Sequence, residues 1–69
     1  MRMISWSDRR YYDIGLDRDI ARVSGFDDHH QEHWVEVEVG KGFAERRKEA
    51  LFLIMDSIES GNRPGKIKI

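Results

Sequence analysis

The chain has no cysteine, a single proline and no long apolar run. Missing cysteine excludes disulfides and any thiolate metal site, and it agrees with a reducing compartment. No stretch approaches the ~20 apolar residues of a membrane span, and residues 1–6 hold too short an apolar run for a secretory leader. An excess of one charge is missing too. Charged residues make up 36% of the chain, yet the net charge is −1, so there is no overall pull toward nucleic acid. These absences point to a soluble, cytoplasmic protein. Its 69 residues form one α+β domain, 1–69. Domains this small bury only about 60% of their unfolded surface. They usually gain stability from disulfides, a metal or a partner. Here a partner is the remaining remedy.

Residues 33–39 give the clearest strand. Val35, Val37 and Val39 alternate with Trp34, Glu36 and Glu38, so the valines are expected to face a core. Gly40-Lys41-Gly42 ends it. Residues 43–60 give the clearest helix, with Phe43, Ala44, Ala50, Leu51, Ile54, Met55 and Ile58 on one stripe. Gly61 suits the left-handed position after the last turn, and Pro64 follows. Residues 66–69 read as a short closing strand. Earlier, residues 1–6, 10–16 and 20–26 read as strands, with Ser7-Asp8 as a turn and residues 27–31 as a polar loop. The fold expected is a small antiparallel sheet packed against one long C-terminal helix, with a short closing strand. If residues 7–16 are helical instead, the order is the ferredoxin-like βαββαβ.

The helix also contains Leu51-Phe52-Leu53-Ile54-Met55, five apolar residues in succession. They cover its whole circumference. Phe52 and Leu53 fall outside the stripe, and burying each would contribute roughly 1.5–3 kcal/mol. Together they are the expected oligomer interface. Charge is uneven along the chain. Asp27, Asp28, Glu32, Glu36 and Glu38 fall in a stretch without Lys or Arg, and Lys41, Arg46, Arg47 and Lys48 follow. With Trp34 as anchor, those five acids form the expected partner-binding surface. Trp34 could also stack on an arginine of a neighbouring strand. Arg47 points into the apolar stripe, so its stem should lie over the core edge with its head free.

Other chemistry reads weakly. His29, His30 and His33 lie among acids, but the strand beginning near His33 keeps them from converging on a metal. Gly40-Lys41-Gly42 lacks phosphate-loop spacing and is better explained as a tight turn. No nucleophilic triad is legible, and so short a chain hardly encloses a substrate-sized cavity. We expect no enzyme activity, no cofactor and no metal. The run from Asp19 to Phe26 resembles the DxARxxG start of a helix-turn-helix. Its recognition helix would then carry five acids facing phosphates, so direct nucleic-acid binding is not expected.

Two resemblances remain. Glu49-Ala50-Leu51, Gly61 and Pro64, after a strand, are similar in layout to the HicB-type antitoxins. That likeness implies a sheet-and-helix protein that masks a toxin and dimerises. In size, acidity and architecture the chain resembles small phage and mobile-element inhibitors of the anti-CRISPR type. That likeness implies a stoichiometric inhibitor of a nucleic-acid-handling host complex. The expected function is a non-enzymatic protein-protein interaction module with a protein partner, and a homodimer is possible.

Overall fold

The structure, a computed structural model, describes residues 1–68. Three antiparallel strands run first: β1 (Met3–Asp13), β2 (Arg18–Asp27) and β3 (Glu32–Glu38). Helix α1 (Phe43–Glu59) follows, then β4 (Gly65–Lys66), which lies parallel to β3. The sheet order is β1-β2-β3-β4. The α+β expectation with one long helix and a short closing strand therefore holds, with the closing strand parallel. Of the closing strand read over 66–69, residue 69 lies outside the described residues. The main-chain N–H of Ile67 donates to the Trp34 carbonyl at 2.8 Å and extends the pairing by one bond.

The first third departs from expectation. Ser7 and Asp8 do not turn; they pair with Ser24 and Val23 inside one continuous β1. Cross-strand partners override the weak strand preference of serine and aspartate. The turn comes at residues 14–17 instead, where Asp17 takes a left-handed φ of 53°. Ile14 and Leu16, read as strand residues, sit on this turn, 86% and 60% exposed. Because residues 7–13 are strand, the ferredoxin-like alternative does not apply.

Alternation along the strands sorts side chains to two faces. Val23, Val35 and partly buried Val37 face α1, where Ala50, Ile54 and Ile58 meet them. The buried stripe of the helix is narrower than its apolar content: Ala44 is exposed, and Ser57 is buried. Gly25 brings the layers close, since a β-carbon there would collide with Ile54 and Met3. Gly42 starts the helix at φ 80° without a side-chain cap. Arg46 ties the loop before the helix to its first turn, with its guanidinium donating to the carbonyls of Glu38 and Lys41 at 2.7 Å each. At the other end, the N–H of Asn62 bonds the Ser57 carbonyl and that of Gly61 the Ile58 carbonyl. This is the Schellman closure, with Gly61 left-handed at φ 75°.

Candidate protein interface

One face of the sheet carries the helix. The other is open, and register decides what it presents. Opposite one another on that face stand Ser7 and Ser24, Ser24 and Trp34, Arg9 and Arg22, Arg22 and Glu36, and Tyr11 and Ile20. Trp34 is half-buried, with the Arg22 guanidinium 3.7 Å from its ring centroid and the Lys66 ammonium at 5.6 Å. The stack leaves the Arg22 Nε buried without a partner among the described residues. The attraction of the ring face for the cation offsets this. Trp34 therefore stacks on the neighbouring strand's arginine rather than standing free.

The glutamates of β3 are each tied within the molecule. Glu32 accepts from Arg22 at 2.8 Å and from the Ser24 hydroxyl at 2.5 Å. The Ser24 hydroxyl first, then the Arg22 guanidinium, hold the Glu32 carboxyl below its usual range. Glu36 accepts from Lys66 at 3.1 Å and from the Tyr11 hydroxyl. Glu38 pairs with Arg18 at 3.0 Å. Their charge is thus balanced in place. Exposed pairs of this kind contribute little stability, but they fix side-chain positions across three strands. Ser7, Arg9, Arg22, Ser24, Phe26 and Glu32 line a shallow cleft of about 320 Å³ on this face.

Asp27 does not belong to that surface. It was expected among the acids that meet a partner, yet it is 1% exposed and faces the helix side. Its Oδ2 accepts from the His33 ring at 2.9 Å, and its Oδ1 accepts the N–H groups of His29 and Gln31. The His33 bond first, then the backbone N–H of Gln31, lower the Asp27 pKa to about 2. A carboxylate that satisfied stays ionised inside the fold. His33 is fully buried and its Nδ1 has no partner among the described residues. The pair is geometrically an imidazole oriented by an acid, with both groups buried. It clips the β2–β3 turn. Asp28, His29 and His30 lie on that turn, exposed. Among the described residues no three His, Cys, Asp or Glu side chains come together as a metal site.

The helix presents the second expected surface. Phe52 is 59% exposed and Leu53 44%. Leu53 borders a shallow, largely apolar hollow with Val37, Arg46, Glu49 and Ala50. The head of Arg47 is not free. It donates to Asp8 at 3.1 Å and lies 5.6 Å from the rings of both Trp6 and Phe43. Arg10 similarly covers Phe43 at 4.8 Å. Sequence reading missed this arginine-aromatic cluster on the helix side of β1, because it required β1 to run unbroken through Ser7-Asp8.

No protein-family model matches this sequence, and neither a curated protein nor a solved structure matches it. Among the described residues no helix is long and apolar enough to cross a membrane.

Proposed function

We propose that this chain is a protein-binding module without chemistry of its own, a stoichiometric inhibitor that occupies a surface of a nucleic-acid-handling complex. It docks through the open face of the sheet. The observation that carries this reading is the array of Trp34, Arg22, Glu32, Glu36 and Lys66, joined by stacking and ion pairs and each at least partly exposed. Aromatic rings and arginine dominate binding energy at protein interfaces. A pre-ordered array also loses little side-chain entropy on docking. The row Glu32, Glu36 and Glu38 along one strand offers acceptors to a basic partner, of the kind that handles nucleic acid, in exchange for Arg22, Lys66 and Arg18. Because each glutamate already has an internal base, recognition rests on the mixed face rather than on acidity alone.

The test is recovery of a partner by the tagged protein from a lysate of the cells that make it. Wild type should bind one partner in equal amount. The double variant Glu36→Gln/Glu38→Gln should bind it at least about tenfold more weakly, a loss of about 1.4 kcal/mol. Equal affinity in a variant with an unchanged melting temperature would remove the proposal. A second reading, a HicB-like antitoxin or other small homodimeric regulator joined through Phe52 and Leu53, is favoured by their joint exposure. Light scattering on Phe52→Ser/Leu53→Ser would distinguish it, since only this reading expects that variant alone to become a monomer.

A further inference from the structure

Strand β1 forms one edge of the sheet, and its outer row of main-chain N–H and C=O groups has no neighbouring strand among the described residues. Proteins seldom leave so long an edge bare. After an irregularity between Met3 and Ser5, β1 runs in regular register from Ser5 to Asp13, and the midpoint of that stretch is Arg9. Trp6, Asp8, Arg10 and Tyr12 fall on the helix side of this edge. Trp6 is 47% exposed and Tyr12 55%.

We propose that β1 pairs antiparallel with β1 of a second copy, with Arg9 on the two-fold axis, to give one continuous eight-stranded sheet. The register follows from the side chains. Centring on Arg9 sets Asp8 against the second copy's Arg10 and Trp6 against its Tyr12, each pair occurring twice by symmetry. Opposite charges and aromatic pairs directly across an antiparallel ladder are favourable. Centring on Asp8 instead would oppose two aspartates, and centring on Arg10 would set Asp8 against Tyr12 and lose both opposite-charge pairs. A slip by half a step would put the two helices on opposite faces of the sheet. In the chosen register the Arg9 side chains do meet on the open face. Both are exposed to water, which screens their repulsion, and each lines the cleft that also holds Glu32. Asp8 uses Oδ2 for Arg47, so the second copy's Arg10 adds a second guanidinium to a carboxylate already held in place. The charges that keep unrelated strands off this edge thus select a second copy of the same strand. The pairing would also join two open faces into one surface. It rests on the β1 edge alone and stands or falls independently of the protein partner proposed above.

The chain contains no cysteine, so single cysteines report the register without background. Facing Cα atoms in an antiparallel pair lie about 4.5–5.5 Å apart, within disulfide range. Arg9→Cys should therefore oxidise to a covalent dimer. Ser7→Cys, which faces the second copy's Tyr11, and Phe52→Cys should do so at least about ten times more slowly. Without oxidant, Arg10→Asp should shift the protein toward monomer in sedimentation equilibrium, and adding Asp8→Arg should restore the dimer. Equal oxidation rates for the three cysteines, faster dimerisation of Phe52→Cys, or a wild type monomeric at millimolar concentration would each overturn the pairing.

Discussion

Replacing Gly25 by alanine tests how closely helix and sheet are packed. The added β-carbon would fall inside contact distance of Ile54 Cγ2 and 2.7 Å from Met3 Sδ. Ordinary carbon contacts lie at about 3.5–4.0 Å. Met3 is flexible and can yield. Ile54 is fully buried and fixed by Val23, Val35 and Ile58, so its branch methyl cannot. Overpacking of this kind costs about 1–3 kcal/mol. Alanine recovers roughly 0.5–1 kcal/mol relative to glycine through reduced chain entropy. The net loss is about 0–2.5 kcal/mol. With a urea dependence near 1 kcal/mol per molar, the midpoint should fall by up to about 2.5 M. The partner substitution Ile54→Leu moves the branch from Cβ to Cγ and removes the colliding methyl. Alone it should cost under about 1.5 kcal/mol. Together the two should cost at least about 0.5 kcal/mol less than their sum. A Gly25→Ala protein more stable than wild type, or strict additivity with Ile54→Leu, would refute this packing.

Further outcomes follow from other contacts. Asp27 has its pKa lowered from 3.8 to about 2 on folding, so its stabilising contribution is complete above about 3.8 and is lost as pH falls toward 2; acid titration followed by circular dichroism should show this loss in wild type and not in Asp27→Asn. Arg46→Ala removes the bonds to the carbonyls of Glu38 and Lys41 and should lower the melting temperature by about 4–8 °C, as expected for about 1 kcal/mol in a domain of this size. Phe52→Gln, at a side chain the fold leaves in water, should change stability by no more than about 0.5 kcal/mol. Ile54→Ala, which empties the centre of the core, should cost about 2–5 kcal/mol and leave the chain largely unfolded at 37 °C.

Strand β3 and helix α1 were legible because each repeats one period over many residues. The outward set Trp34, Glu36, Glu38 and the inward set Val35, Val37 follow from alternation alone, and so does the exposure of Phe52 and Leu53. His33 shares the parity of Val35 and Val37, so an inward-facing histidine could have been read from the same pattern. Its bond to Asp27 could not, since the turn between them sets that distance. Asp27, read as surface, is buried for the same reason: it closes the turn with three hydrogen bonds. Strand β1 was divided in two because Ser7-Asp8 carries a turn composition. Only its long-range partners, Ser24, Val23 and Arg47, make it a strand. The neutralisation of the β3 glutamates likewise depends on Arg18, Arg22 and Lys66 on the neighbouring strands, and the Glu36 hydrogen bond on Tyr11. Sequence spacing does not encode those neighbours until strand order is known.

The open sheet face is tested most directly by a photo-crosslinking residue placed at Lys66. This position lies on that face beside Trp34, three strands of about 4.8 Å each from the β1 edge. The same residue at Asp56, exposed on the helix, is the control. Irradiation in the cells that make the protein should join a single other polypeptide to the Lys66 probe and none to the Asp56 probe. Adducts from Asp56 with none from Lys66 would contradict docking through the open face.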